Sequence, residues 1–299
     1  MFIVIAFIIP LIALVAICVI FDKRRKKHDR FLRFYDDGST GHFYITGDKH
    51  RNFELVKDFC DEMNTKRQDV LIILGDAGFN YYDDERDDKL KKEMSMLNIT
   101  LFCIHGNKEN RPQNVGTYGV RSFCNGKVYY EPRYPNILFA MDGEIYTFEG
   151  KKYMVVGGAH SVDKLRCIEE GKPFWDDEMP DDNIKNAVRE RLKEEGNKIY
   201  GMMTHTCPID YLPTEMFVST RRAANIKRKP RKARSKKHFK LDIDRSTEEW
   251  LGELEKELEY EVWFCGHYHV DKPIDKLCML HNNIRLLHIP IRKKTSTII

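Results

Sequence analysis

Short apolar runs alternate with amphipathic stretches over most of the chain beyond about residue 31. The runs are rich in β-branched and aromatic residues and end near Gly, Asp or Asn, which predicts strands. The predicted strands are residues 43–46, 70–74, 100–105, 137–141, 145–148, 153–156, 199–204, 261–265, 276–280 and 284–288. Apolar residues three or four positions apart predict helices over residues 53–63, 84–97, 182–195 and 247–258. This alternation predicts an α/β domain.

Two local patterns predict how particular elements are joined or begin. Asn282-Asn283 lies between the last two strands and predicts a hairpin turn. Ser246 lies three residues ahead of Glu249, which predicts a capping box at the start of the last helix.

The first apolar run is longer than the others. Residues 2–21 read FIVIAFIIPLIALVAICVIF without a charged side chain, and a helix of this length spans about 30 Å, the thickness of a bilayer core. A cleaved secretion signal would carry a basic start, a shorter apolar core and a small-residue cleavage site, and none of these is present. The run therefore predicts one transmembrane helix ahead of the α/β domain.

The charge around this run predicts its orientation. Seven Lys or Arg residues follow it between residues 23 and 33 and none precedes it, which places the rest of the chain in the cytoplasm. We therefore predict a single-pass membrane protein with an anchor at 1–21, a basic juxtamembrane linker at 22–40 and a cytosolic domain at 41–299. The eight cysteines include no C-x-x-C pair, as expected of reduced thiols in the cytosol.

A second basic segment interrupts the predicted cytosolic domain. Residues 221–240 hold 11 Lys or Arg and no Asp or Glu. The rest of the chain has 39 basic and 46 acidic residues, which gives it a net charge of −7. The segment is compatible with a solvated loop, with contact to anionic inner-leaflet lipid, or with contact to nucleic acid. The candidate contact residues are Lys227, Arg228, Lys229, Arg231, Lys232, Arg234, Lys236 and Lys237.

Five of the predicted strands are followed by side chains that commonly bind metals. In chain order these residues are Asp48, His50, Asp76, Asn107, His205, His267 and His269. Strand ends are where α/β folds bring their loops together, so we expect these side chains to converge. Oxygen and imidazole donors without thiolate favour Mn, Fe or Zn over a structural zinc site. Seven donors are too many for one ion that also binds substrate, and they suit two ions that share a carboxylate.

These residues occur in five blocks whose order and spacing resemble the calcineurin-like metallophosphoesterases. The blocks are Asp48-Lys49-His50, Gly75-Asp76, Gly106-Asn107-Lys108-Glu109, His205 and Gly266-His267-Tyr268-His269. The likeness is strongest to small bacterial phosphatase-like members, through Gly157-Gly158-Ala159 and through the residues that lead into Gly266. It implies a two-sheet β-sandwich flanked by helices.

The resemblance also implies how the donors are divided between two divalent metal ions. One ion would be held by Asp48, His50, Asp76 and His269. The other would be held by Asp76, Asn107, His205 and His267. Asp76 would bridge the two.

One residue departs from the family pattern. Lys108 stands where the family has a histidine that contacts the phosphate and assists the leaving group. An ammonium group attracts phosphate but gives up its proton poorly at neutral pH, so slow or leaving-group-dependent hydrolysis is expected. His160 and His42 are candidate replacements. The candidate catalytic residues are therefore Lys108, Asn107 and His160.

Two functional hypotheses follow. In the first, the protein is a membrane-anchored cytosolic phosphoesterase, in which metal-bound hydroxide attacks a phosphate mono- or diester. In the second, it is a catalytically weak or inactive relative that serves as a tethered binding module. Lys108 favours the second hypothesis and the intact donor set favours the first. The sequence leaves open whether the phosphorylated substrate is a protein, a nucleotide, a nucleic acid or a lipid.

Overall fold

The computed structural model describes residues 41–213 and 243–288. The predicted membrane segment at 2–21, the linker at 22–40 and the basic segment at 221–240 lie outside these ranges. Within the described ranges, no helix combines the length and the apolar character needed to cross a membrane. The seven cysteines of the described ranges are free thiols, as predicted.

One sheet of the described fold has seven strands in the order β13-β1-β2-β3-β6-β5-β4. Its strands are β1 (Phe43–Thr46), β2 (Val70–Ile73), β3 (Thr100–Cys103), β4 (Gly119–Phe123), β5 (Gly126–Tyr130), β6 (Ile137–Ala140) and β13 (Arg285–Leu286). Strands β1, β2, β3 and β6 run parallel, whereas β4, β5 and β13 pair antiparallel with their neighbours. The carboxyl ends of β1, β2 and β3 therefore lie side by side along one edge.

The other sheet has six strands in the order β11-β12-β10-β9-β8-β7. Its strands are β7 (Ile145–Phe148), β8 (Lys151–Val156), β9 (Gly201–Thr204), β10 (Val262–Cys265), β11 (Lys272–Ile274) and β12 (Leu277–Met279). Strands β8, β9, β10 and β12 run parallel. The ends of β9 and β10 are in register, because Thr204 pairs with Cys265.

Helices cover the outer faces of both sheets. The described helices are α1 (Glu54–Met63), α2 (Glu85–Ser95), α3 (Lys164–Glu169), α4 (Asp182–Glu194) and α5 (Ser246–Glu257), with single 3-10 turns at Pro112–Asn114 and Ile209–Tyr211. The buried residues of α1 and α2 pack with one face of the first sheet. Those of α4 and α5 pack with one face of the second.

The inner faces of the two sheets pack against each other. Alternate residues such as Ile45, Ile72 and Phe102 from the first sheet share a core with Val155 and Phe264 from the second. The central strands are buried on both faces, which is why they appear in the sequence as continuous apolar runs. The predicted α/β sandwich of two sheets with flanking helices is confirmed.

Several local predictions are wrong or incomplete. The last two strands do not form a hairpin, because β12 pairs with β10 and β11 whereas β13 pairs with β1 in the other sheet. The Asp271 carboxylate accepts hydrogen bonds from the backbone of Asn282 and Asn283, which holds them in a loop. Ser246 is already helical, and the N-cap residue, Arg245, makes no side-chain cap.

Strands β4, β5 and β11 and helix α3 were not predicted. Strands β4 and β5 are joined by Cys124 and Asn125, both with positive φ, as a tight two-residue turn requires. Helix α3 is too short to show a clear helical period.

Candidate metal centre

The seven predicted donors lie where the edges of the two sheets meet. Asp48 and His50 follow β1, Asp76 follows β2, and Asn107 follows β3, all in the first sheet. The second sheet supplies His205 after β9, and His267 and His269 after β10. Parallel strand order within each sheet thus brings together residues as distant in sequence as Asp48 and His269.

One group of donors surrounds the Oδ2 atom of Asp48. Asp48 Oδ2 lies 3.3 Å from His269 Nε2 and 3.7 Å from His50 Nε2. The two imidazole Nε2 atoms are 2.8 Å apart. Donor atoms of Asp48, His50 and His269 all lie within 4.8 Å of one another, which is close enough for a single cation to bind all three.

A second group surrounds Asn107. Its Oδ1 lies 2.8 Å from His205 Nε2 and 3.1 Å from His267 Nδ1. Asp76 lies between the two groups, since its Oδ2 is 3.7 Å from His50 Nε2 and also 3.7 Å from His205 Nε2. Asp48, Asp76 and His205 form a further set with donor atoms within 4.8 Å of one another.

Backbone amides orient both carboxylates. The N–H of His267 donates to Asp48 Oδ1 at 2.8 Å, and the N–H of Lys108 donates to Asp76 Oδ1 at 2.7 Å. Asp48 Oδ2 is buried and has no hydrogen-bond partner among the residues that the structure describes. A buried carboxylate oxygen is costly when unpaired, so this oxygen fits a cation ligand.

Glycines let these side chains approach the neighbouring backbone. A Cβ on Gly106 would lie 2.0 Å from Asp76 Oδ1, and one on Gly266 would lie 2.3 Å from Asp48 Oδ1. A Cβ on Gly75 would lie 2.0 Å from His205 Nδ1. These three positions beside the donors therefore have no room for the methyl group of an alanine.

The backbone is also strained at the donors. Non-glycine residues rarely adopt positive φ, yet four of the seven donors do so. They are His50 at 44°, Asp76 at 48°, His267 at 68° and His269 at 52°. Such clustered strain is typical of functional sites.

Burial and mutual charge set the ionisation of the donors. Burial raises the pKa of Asp48, but the His269 imidazole, 3.3 Å from Oδ2, and the imidazoles of His205 and His50 outweigh burial and hold this pKa below its usual value. Burial raises the pKa of Asp76, and the charge of Asp48 raises it further. Burial also lowers the pKa of His267 to about 3. This imidazole is therefore neutral at pH 7, the form that binds a metal.

Hydrogen bonds outside the donor set fix two ligands. His205 Nδ1 lies 2.8 Å from the carbonyl oxygen of Leu74; donation of its N–H to that oxygen leaves the Nε2 lone pair directed at Asn107. The Asn107 amide donates from Nδ2 to Ser161 Oγ at 2.6 Å, which turns its Oδ1 toward the histidines. Ser161 was not predicted, because its role depends on a contact with a residue 54 positions away.

Lys108 is held by a carboxylate. Its Nζ forms an ion pair with Asp163, at the start of α3, and lies 3.9 Å from Cys167 Sγ. The side chains of Lys108 and Asp163 are 21% and 32% exposed, so the pair is partly shielded from water. The backbone N–H of Lys108 contacts Asp76 directly, whereas its ammonium group is engaged by Asp163.

The two candidate replacement histidines lie in different places. His160 lines a cavity together with His267 and His269, and its Nδ1 is 3.5 Å from the buried Glu178 Oε1. His42 precedes β1, at the opposite end of that strand from Asp48, and its Nδ1 is 3.5 Å from Asp69. Only His160 is therefore brought to the donor cluster.

Two cavities border the cluster. A polar cavity of about 450 Å³ is lined by Asp48, His50 and His269 together with Lys49 and His281. The other, called the apolar cavity below, has a volume of about 260 Å³. Its lining consists of His160, Val162, Leu212, Pro213, Ile243, Asp244, Arg245, Glu248, His267, Tyr268 and His269. Pro213 and Ile243, the described residues on either side of residues 214–242, both line this cavity.

An oxygen and imidazole donor set arranged around a shared carboxylate defines the class of dinuclear metallohydrolases. The family model of the calcineurin-like phosphoesterases matches residues 41–271, and the chain belongs to this family. These proteins are hydrolases that act on phosphate esters, and they bind two divalent metal ions.

Similarity to individual proteins is weak. Comparison with curated proteins gives no match. One solved structure is 13% identical with a TM-score of 0.44, covering 81% of this chain and 90% of its own. The crystal structure of TT1561 of Thermus thermophilus is 12% identical with a TM-score of 0.40, covering 81% and 89%.

Proposed function

We propose that the protein hydrolyses a phosphate mono- or diester at a centre of two divalent ions that share Asp76. The observation that carries this proposal is the position of Asp76 Oδ2, 3.7 Å from His50 Nε2 in one donor group and 3.7 Å from His205 Nε2 in the other. When bound, two such ions polarise the phosphoryl group and supply an activated water as nucleophile.

The protein groups around the ions have separate roles in this proposal. Asp48 and Asp76 each use one oxygen for a backbone amide, which keeps the other oxygen directed into the centre. Lys108 supplies positive charge near the phosphoryl oxygens, with Asp163 fixing where its ammonium group lies. Asn107 is a ligand and is fixed by Ser161.

His160 is proposed as the proton donor to the leaving group. It lines the apolar cavity beside two of the donor histidines, and imidazole is the side chain that exchanges protons most readily near neutral pH. The Glu178 carboxylate, 3.5 Å from Nδ1, is a positioning group that favours the ring orientation with Nε2 directed away from it.

A hydrolysis assay on the full chain tests this function. Chromogenic phosphate monoesters and diesters are compared with added Mn²⁺, Fe²⁺ or Zn²⁺, and with EDTA as the metal-free control. We expect metal-dependent hydrolysis of one ester class, lost on chelation and restored by the metal. Equal rates with metal and with EDTA would contradict the proposal.

A catalytically weak relative is the second candidate, and the engagement of Lys108 by Asp163 favours it. Such a protein would bind metal ions and a phosphorylated ligand but turn over slowly. Calorimetric binding of inorganic phosphate, measured beside this assay, separates the two, because the weak relative binds phosphate only with metal yet hydrolyses the esters far more slowly than a typical phosphoesterase.

The site is further proposed to act at the cytoplasmic face of a membrane. Support comes from the uncharged run at 2–21, from the basic residues that follow it, and from the basic segment at 221–240. Membrane fractionation of cells that express the full chain tests this. We expect the chain in the pellet after alkaline extraction, and recovery in the supernatant would contradict anchoring.

A further inference from the structure

His281 lies beside the metal centre but outside the donor set. Its imidazole stacks on that of His269, with ring centroids 4.8 Å apart and ring planes 21° from parallel. This separation is typical of stacked aromatic rings. Among the described residues, His281 belongs to neither of the two sets of donor atoms that lie close enough to share a cation. It therefore contacts a candidate ligand without being placed as a ligand itself.

The His269 ring depends on its neighbours for its orientation. Its Nε2 lies 3.3 Å from Asp48 Oδ2 and 2.8 Å from His50 Nε2, so this nitrogen faces the other two donors of its group. The side chain is 49% exposed. An exposed side chain loses rotamer freedom when it is fixed as a ligand, and this loss weakens binding of the ion. A ring stacked on its face removes part of that freedom before the ion binds.

The backbone of His281 is held from both ends of the residue. Its N–H donates to Asp271 Oδ1 at 2.8 Å. Its carbonyl oxygen accepts hydrogen bonds from Lys49 Nζ at 2.8 Å and from Thr46 Oγ1 at 3.2 Å. Lys49 is only 5% exposed and belongs to the loop after β1, which carries two further donors of the same group. His281 is therefore tied directly to the loop whose donors it accompanies.

Close backbone packing adds to this attachment. A Cβ on Gly47 would lie 1.9 Å from the carbonyl oxygen of Leu280 and 2.7 Å from His281 Cα. The loop after β1 and the segment that carries His281 thus lie in direct contact. His281 Nδ1 is buried and has no hydrogen-bond partner in the part of the chain that the structure describes. What the imidazole offers to His269 is therefore the flat face of its ring.

We propose that His281 is a positioning residue that holds the His269 imidazole in the orientation that binds an ion. That ion is the one of the Asp48 group, formed by Asp48, His50 and His269. The ion of the Asn107 group does not depend on His281. This inference rests on the two-ion centre of the proposed function, but it does not require that the ions hydrolyse an ester.

Titration with Mn²⁺ tests this role. The two dissociation constants are measured by calorimetry for the full chain and for the variants His281→Ala and His281→Phe. We expect His281→Ala to weaken one ion about tenfold, the lower end of the usual effect of losing a group that orients a ligand, and the other ion by less than about twofold. His281→Phe keeps a flat ring that can stack and should bind both ions within about threefold of the unmodified chain.

The matched control is His288→Ala. His288 follows β13, which is antiparallel to β1, and therefore lies at the edge of the sheet opposite the donors. Its side chain is 47% exposed and its Nδ1 lies 3.0 Å from Glu149 Oε1. This variant should bind both ions as the unmodified chain does. Unchanged binding in His281→Ala, equal weakening of both ions, or a tenfold loss that persists in His281→Phe would overturn the proposal.

A second measurement covers the case in which a His281 variant does not fold. Proton NMR of the histidine-labelled full chain in EDTA requires neither metal nor a substitution at His281, and His269→Gln identifies the His269 signals. We expect nuclear Overhauser contacts between the ring protons of His269 and His281. Their absence would show that the rings do not stack and would overturn the proposal. A chain that shows these contacts and the selective loss of one ion, yet hydrolyses no ester, would contradict the phosphoesterase function alone.

Discussion

Replacing His160 by glutamine is the most informative change to the proposed chemistry. Among the described residues that line the apolar cavity, His160 carries the one imidazole outside the donor set, and His160→Gln removes it. The amide can still approach Glu178, so the loop should keep its position. The side chain of His160 is 19% exposed and its pairing with Glu178 is long, at 3.5 Å. We therefore expect at most about 1 kcal/mol less unfolding free energy.

The effect on rate depends on how much the leaving group needs a proton. General acid catalysis contributes roughly 10²- to 10⁴-fold, and with a second cation at Lys108 we expect the low end. Esters of poor leaving groups should slow by about 100-fold, equivalent to about 2.7 kcal/mol of activation free energy. Acidic phenols leave as phenolates without needing a proton, so the hydrolysis rates of their esters should change less than about threefold.

The assay is kcat/KM for a series of phosphate esters that spans nitrophenyl to alkyl leaving groups. In His160→Gln, the plot of log rate against leaving-group pKa should become steeper. In the comparison variant Lys108→Met, all rates should fall together, because its charge acts on the phosphoryl group. An unchanged slope in His160→Gln, with uniformly lower rates, would show that His160 is not the acid.

The remaining predictions concern the glycines beside the donors and the parts of the chain outside the described residues. Gly106→Ala places a Cβ 2.0 Å from Asp76 Oδ1 and should abolish metal binding. The control Gly116→Ala, whose Cβ has no atom within 4 Å, should bind metal normally, and elemental analysis of both variants measures the bound metal. Removing residues 1–40 should leave a folded, metal-binding domain by circular dichroism, because both sheets lie within the described residues; aggregation would show that these residues belong to the fold. Neutralising the Lys and Arg residues between 227 and 237 should leave hydrolysis of a small ester within about twofold but weaken binding to anionic vesicles or nucleic acid in flotation and shift assays. A large loss of turnover would place that segment in the active site.

The apolar pattern predicted the α/β class and the central strands well because these strands are buried on both faces, whereas the two-sheet sandwich was predicted from the resemblance to the phosphoesterase family. Strands such as β2 and β10 carry apolar residues at every position, so each appears as an uninterrupted run followed by a donor. Neighbouring parallel strands end at the same edge. The positions of Asp76 and His267 were therefore predictable from where the runs stop.

Contacts between distant loops were not predictable in the same way. Asp163 pairs with Lys108, Glu178 approaches His160, and Glu248 lines the apolar cavity, yet no sequence pattern predicted these contacts. Their roles depend on the path of the chain after β8 and after β9. The sequence also did not show that β12 and β13 belong to different sheets. Asn282-Asn283 suits a hairpin turn and a loop held by Asp271 equally well.

The central claim is that two ions share Asp76, and the metal content of Asp76→Asn tests it most directly. The full chain, Asp76→Asn and the control Asp182→Asn, an exposed residue in the first turn of α4, are loaded with Mn²⁺, desalted and measured by elemental analysis together with ester hydrolysis. We predict two ions per chain in the unmodified protein and the control. Asp76→Asn should retain one ion or none and lose activity in parallel, whereas two ions and full activity in this variant would contradict the account.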